Sequence, residues 1–485
     1  MKRAPNIQEL PLKLVGSNHF GRYPQISVEE KFNFIASDNW MVPSAGYAKA
    51  TTIAGVSRGL FNSSKLGKLI QVNDNCVYTI DSSLAATKVA SLNTYQGDVY
   101  IEETDGGLIT ISDRKYIYVY DPVAGTLVLP AINSITPGPL AFLNGYIMTP
   151  IGGRAEWQLS PVNHPEQTWS AGAGARGMFQ TKPDNVQTIV RLPGKGNNIF
   201  VMGSTVTELW CDTGAQLFPF NRSSGFNIDY GCASPNTVAS SDNFVVWLGI
   251  NEKSGPVILC SSGCDVQQLS DDGMNFKMSR LVNPTNSYGC LYKQDGHLIY
   301  MLTFVDPLDN VTYAYDFNTK GFFTFTDSNL NHHIAKKVVY FNNDYYFISF
   351  ADGNLYELNS DYTDYDGHEI PRIIITDTLR LPDSSPFVGE SFSFWLEQGE
   401  TRITEIVGQP EFNNVNKNKR IDVAISNDGG ASFGNYSQIY LNEIGHRRNK
   451  VNFRGLGYAN ELVLQIRFYG FDRFVLTDGI LNIYQ

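Results

Sequence analysis

Between residues 60 and 358 the chain repeats one pattern: a short β-branched or aromatic run, a turn built on Gly, Asp or Asn, and a second short run. Residues 99–104 lead into the turn Asp105-Gly-Gly107, and 108–112 follow it. Residues 116–120 then enter a second turn, Asp121-Pro-Val-Ala-Gly125. The same alternation predicts a hairpin from 198–202 through Gly203-Ser204 to 205–210. It also predicts paired strands at 243–248 and 257–260, 297–304 and 311–315, and 345–350 and 354–358. Tyr-rich strands twice end on an Asp (Asp121, Asp316) and pass through a Gly turn (Gly125, Gly321) to the next apolar run. Units of roughly 40–50 residues with about four strands each are the size of a propeller blade. The span therefore predicts a β-propeller of about six blades over residues 60–360. Neither a Trp-Asp nor a double-glycine signature repeats, so a double sandwich is the structural rival.

The polar segment Asp361-Tyr-Thr-Asp-Tyr-Asp-Gly-His368 breaks this rhythm, and longer alternating strands follow at 392–397, 420–426, 461–468 and 479–484. The expectation is an all-β chain with the propeller at 60–360 and a β-sandwich-like platform domain at 361–485. The N-terminal segment, 1–59, has too few apolar residues for its own core and is expected to pack on that platform. Hydrophobic residues at 42%, with 43 Gly, 26 Tyr and 29 Phe, agree with strands and tight turns.

A net charge of −11 argues against adhesion to nucleic acid by phosphate neutralisation, which needs clustered Lys and Arg. The six cysteines show no disulfide framework or zinc spacing, so free thiols and cytoplasmic synthesis are expected. The N-terminus lacks an apolar run typical of a leader, and no stretch approaches a membrane helix in length.

Motifs with catalytic associations read as structural. Ser426-Asn-Asp-Gly-Gly-Ala-Ser-Phe433 fits the Asp box of propeller glycosidases, in which Asp accepts turn amides and Gly supplies positive φ. It occurs once and outside the predicted propeller. Adjacent carboxylates (Glu102 with Glu103, Asp271 with Asp272) point to opposite faces of a strand or lie in solvated turns. His164, His332 and His333 lack ligands at metal spacing, and Cys260 with Cys264 brackets a hairpin turn. The glycine-rich run 171–177, with Gly172, Gly174 and Gly177, has no Lys-Ser and no following helix, so it reads as a loop able to reach into a pore. The basic cluster His446, Arg447, Arg448, Lys450 and Arg454 reads as a protein contact: a subunit or adaptor interface.

Several passages resemble the packaged-DNA stabilisation or tail-hub (nozzle) family of short-tailed, P22-like bacteriophages. They are Gly55-Val-Ser-Arg-Gly59, Gly203-Ser-Thr-Val-Thr-Glu-Leu-Trp-Cys-Asp-Thr-Gly214 and the small-residue run Tyr230-Gly-Cys-Ala-Ser234. Near the end, residues 421–434 are similar to the family's closing hairpin and residues 447–457 to its basic strand, in the same order along the chain. The closing strand departs from the family in carrying Asn452, Phe453 and Gly455 where arginine and tryptophan are commoner.

The resemblance implies a virion tail protein, assembled in the host cytoplasm as a ring, with six copies expected, beneath the portal and its adaptor. It would seal packaged DNA and conduct it at ejection, with tailspike, tail fibre or tail needle as further partners. DNA would pass without specific binding, and neither cofactor nor metal is expected. The rival readings are a sialidase-like propeller glycan hydrolase and a receptor- or carbohydrate-binding tail component.

Overall fold

A hairpin of five- or six-residue strands buries one face only, and this chain satisfies that face by stacking four-stranded antiparallel sheets side by side. The computed structural model describes residues 7–21, 28–132, 135–170, 172–194, 196–398, 405–406, 409–410, 419–441, 448–470 and 473–484. Four consecutive sheets follow chain order. They open with Ser57–Ser63, Tyr100–Glu103, Ala141–Leu143 and Val186–Arg191 and end with Ala86–Ser91, Thr126–Val128, Arg176–Met178 and Phe220–Ile228. In the fifth sheet Gly231–Cys232 and Ala239–Ser240 both pair with Val245–Ile250, and Val257–Ser262 and Asp265–Gln268 follow. The sixth runs from Ser287–Gln294 to Gly321–Phe325.

The seventh sheet is completed from the other end of the sequence. Ala335–Phe341, Asp344–Ser349 and Leu355–Asn359 supply three strands, and Gly46–Thr51 pairs antiparallel with the last of them, from Leu355↔Thr51 to Asn359↔Gly46. Each sheet contacts the next, and Ala335–Phe341 also packs on Ser57–Ser63, so the contacts return to the first sheet. The result is a closed ring of seven sheets where the strand rhythm predicts about six. Three strands of the seventh sheet lie within 60–360, and its closing strand comes from the segment 1–59, which was expected to pack on the platform.

Apolar clusters fill the gaps between neighbouring sheets, and the one between the sixth and seventh is continuous with the core of the C-terminal sheets. Ile70, Val72, Ile109 and Ile111 fill the first gap, and Trp157, Leu159, Val201 and Trp210 the third. Ile53, Leu60, Ile348 and Leu355 fill the seventh. Trp157 is fully buried, with Trp210 edge-on at 5.6 Å and Phe220 at 5.5 Å, which fixes the third and fourth sheets against each other.

The remaining N-terminal strands pair with the C-terminal ones. Ile7–Leu12 and Trp40–Pro43 flank Phe474–Tyr484 in a sheet that continues through Phe387–Gln398 to its edge strand, Arg448–Ala459. Val28–Phe32 touches Gly321–Phe325 through Phe32↔Thr324. It extends the sixth sheet into Arg372–Ile375, Val463–Tyr469, Arg420–Ser426 and Ser437–Tyr440. These two sheets share one core, with Phe34, Phe394 and Phe474 packed around Phe468. The C-terminal strands are therefore hydrogen-bonded to the propeller through a shared sheet.

Tyr47, on the closing strand, stacks on Tyr365 at 4.5 Å and meets the ring edges of Phe347 and Tyr356 at 5.3 and 5.6 Å. Tyr47→Ala is expected to cost about 3–5 kcal/mol, the range for large aromatic truncations in a core, and to lower the urea midpoint. A loss under about 1 kcal/mol would show that ring closure does not depend on this strand's packing.

Candidate functional site

The innermost strands bring together a polar group that the sequence did not single out. Asp98, on the connection into the second sheet, accepts hydrogen bonds from Asn236 Nδ2 at 2.9 Å and Tyr288 OH at 3.1 Å, and it pairs with Lys336 Nζ at 2.8 Å. Tyr100 OH donates to Asn236 Oδ1 at 2.9 Å, and Lys336 Nζ also reaches the carbonyl of Ser57 at 3.4 Å. These residues belong to the first, second, fifth, sixth and seventh sheets. The second sheet is adjacent to neither the fifth nor the sixth, so the contacts span the centre of the ring. Burial works against the Asp98 carboxylate, but Lys336 and the hydrogen bonds hold its pKa below the usual range.

Glu102 lies two residues beyond Tyr100 on the strand Tyr100–Glu103, on the same side as Tyr100. Burial raises its pKa to about 7 against the attraction of Lys337 and Arg191, with Glu103 adding repulsion. Burial lowers the pKa of Lys337, and the charges of Glu102 and Asp98 oppose that shift. The centre of the propeller is thus occupied by a cross-linked polar network.

The predicted interface residues fall on one strand. Arg448, Lys450 and Arg454 alternate along the exposed face of Arg448–Ala459, the edge of its sheet. Arg448 pairs with Glu397 at 3.3 Å and lies 4.7 Å over the ring of Trp395, while Lys450 stands opposite Trp395 in register. Arg447 lies outside the described residues. Of the glycines in 171–177, Gly172 and Gly174 are exposed at the short 3₁₀ turn Ala173–Ala175. Gly174 abuts the Leu217 carbonyl, which a Cβ would approach to 2.5 Å. Gly177 is not in a loop. It lies in the outer strand of the third sheet, where a Cβ would sit 2.3 Å from the Trp157 ring, so glycine is required there by packing.

The motifs with catalytic associations resolve into turns and caps. Asp428 accepts from Ser426 Oγ, Ser432 Oγ and Ser432 N at 2.6, 2.6 and 3.0 Å, and Gly429 and Gly430 take φ of 71° and 90°. Those hydrogen bonds hold its carboxyl well below the usual range. Glu103 ties down Ser63, Ser64 and Lys65, and Asp271 caps the helix Asp272–Met278 by accepting from Met274 N at 2.8 Å. His333 is buried among aromatic rings, and burial pushes its pKa down to about 4. All six cysteines are free thiols, with Cys260 pushed up to about 11 by burial. Among the described residues no three His, Cys, Asp or Glu side chains gather as a metal site.

Glu102 carries a pH prediction. Its pKa in the folded protein lies above the unfolded value, so its contribution to stability is full below about pH 4.5 and is lost as pH rises through about 7. That loss is on the order of 1–3 kcal/mol. In Glu102→Gln the fall in stability across this window should flatten when Tm is followed from pH 4.5 to 8. An identical slope in both proteins would show that Glu102 does not titrate there.

Comparison with solved structures returns matches of low identity. A streptogramin B lyase is 12% identical with a TM-score of 0.45, covering 67% of this chain and 99% of the lyase. A virginiamycin B lyase from Staphylococcus aureus is 11% identical with a TM-score of 0.45, covering 65% and 98%. The extracellular domain of the putative one component system BT4673 from B. thetaiotaomicron is 12% identical with a TM-score of 0.43, covering 64% of this chain; this chain spans 39% of that one. No curated protein matches. One family profile, described as "Bacteriophage P22 Gp10, beta-propeller", matches residues 17–363, which takes in every strand of the seven-sheet ring. The chain belongs to the bacteriophage P22 Gp10 β-propeller family.

Proposed function

We infer that this chain is a structural tail-hub, or nozzle, protein of a short-tailed phage virion, acting to stabilise packaged DNA rather than to catalyse a reaction. The family match over residues 17–363 carries this reading, since it coincides with the closed ring and its closing strand. The internal chemistry supports it: Asp98 and Lys336 at the propeller centre pair with each other, and the Asp-box carboxylate bonds within its own turn. Among the described residues no helix is long and apolar enough to cross a membrane.

The finer reading is that several copies, six on the family analogy, surround the DNA beneath the portal adaptor. Arg447, Arg448, Lys450 and Arg454 contact a neighbouring subunit or the adaptor, and tailspike, fibre or needle proteins dock elsewhere. With a net charge of −11 per copy, the wall facing DNA is acidic or neutral. Lysines and arginines there would hold passing phosphates and make ejection slow and strongly salt-dependent. Closure is then steric, with the exposed glycines Gly172 and Gly174 in a narrowing loop and Gly177 anchoring its base to Trp157. The C-terminal strands, with the N-terminal strands they pair with, form the platform that carries these contacts.

Negative-stain images of the protein mixed with portal and adaptor test the reading. The expected result is added ring density below the adaptor. Portal–adaptor particles with no added density and free propellers in the background would contradict it.

A further inference from the structure

The two C-terminal sheets share one core, so their other faces point in opposite directions, and both faces are rich in the side chains that dominate protein contacts. On the sheet edged by Arg448–Ala459, an apolar row crosses four strands through the register Ile7↔Tyr484, Val388↔Tyr484 and Val388↔Tyr458. Ile7 is 55% exposed and Tyr458 64%. Trp395 and Ile480 add to the same face. Solvated apolar side chains in a contiguous row across a sheet mark a contact surface.

The opposite face is built differently. Arg467 lies over the Tyr436 ring at 4.8 Å, and Tyr436 OH donates to Gln465 at 2.6 Å. Arg420 lies over Tyr469 at 4.5 Å, faces Tyr440 in register and pairs with Asp422 at 2.8 Å. Tyr440 is 58% exposed. These pairings hold the rings and guanidinium groups in place before any partner arrives, which reduces the entropy lost on docking. Beside them a cavity of about 300 Å³ is lined by Leu330, Glu369, Ile373, Arg467 and Tyr469. Arg467 Nε is buried there without a hydrogen-bond partner.

Copies of a chain with a net charge of −11 repel each other, so they can meet only where the local charge is balanced. Both faces meet that condition. Arg448, Lys450 and Arg454 offset Glu9, Glu390 and Glu397 on the first, and Arg420 and Arg467 offset Asp422 and Glu369 on the second. Because the faces differ in chemistry and point apart, contact between them is head-to-tail. We propose that the Tyr436–Tyr440–Arg467 face of one copy docks on the Ile7–Val388–Tyr458 face of a second copy. A protruding side chain of the apolar face enters the cavity, and a facing carboxylate pairs with the Arg467 guanidinium. This assignment rests on the multi-copy reading above and names the surfaces that make its contact.

The test uses two full-length variants, Tyr440→Cys on one face and Tyr458→Cys on the other. Both positions are exposed, and far-UV dichroism checks the fold. Under mild oxidation, mixing the two variants should give a disulfide-linked dimer, while either variant alone, like the wild-type background, should not. In sedimentation velocity Arg467→Glu should weaken self-association about ten-fold or more in Kd. A linked dimer within one variant alone would mean a face meeting its own copy and would overturn the proposal. Wild-type oligomers that form no mixed disulfide and are insensitive to Arg467→Glu would also overturn it, leaving the multi-copy reading intact. Monomers at every concentration would overturn both.

Discussion

The pairing of Gly46–Thr51 with Leu355–Asn359 is the constraint on which the rest of the structure depends. Without it the seventh sheet would present an unpaired edge, and the ring would be held only by packing between sheets. The joint is tight. Gly353 sits where any Cβ would strike Asn73 and the carbonyls of Gly55 and Ile53, and its own carbonyl accepts from Gln71 and Asn73 of the first sheet. The same N-terminal segment also supplies Phe34–Ser37 and Trp40–Pro43 to the C-terminal sheets. A few residues therefore seal the propeller and fasten it to the neighbouring unit, coupling the stability of both.

The bore of a single propeller follows from that closure. Once the seven inner strands converge, side chains from sheets that are far apart along the ring come within hydrogen-bond distance, and Asp98 gathers three of them. A buried ion pair alone is a poor source of stability, but one whose partners are also hydrogen-bonded fixes the relative position of the sheets. At the level of Asp98 the centre of each propeller is filled. A ring cross-linked in this way suits a scaffold that acts through its outer surfaces.

The local features were legible in the sequence and the distant ones were not. Period-two runs and Gly-Asp turns located hairpins such as Asn198–Gly203 with Thr207–Asp212, because each depends on residues a few positions apart. The closing strand, Gly-Tyr-Ala-Lys-Ala-Thr, has no strong alternation, and its partner is some 300 residues away, so its role depends on tertiary pairing alone. Asp98 was invisible for the same reason. Gly177 looked like part of a flexible loop because nothing local shows that Trp157 lies against it. The basic residues near 450 stood out as a charge cluster, but the tyrosines of the opposite face, on and just before Ser437–Tyr440 and at the end of Val463–Tyr469, formed no local motif.

Native-state hydrogen exchange on the intact chain tests the central claim most directly, since it reports the free energy at which each strand opens. If closure by the N-terminal strand holds the fold together, the amides of Gly46–Thr51 and of Leu355–Asn359 exchange only through global unfolding, with the same free energy as the core strands. Exchange of Gly46–Thr51 several kcal/mol below the global value, with the other six sheets still protected, would show that the ring stands without its closing strand and would contradict this account.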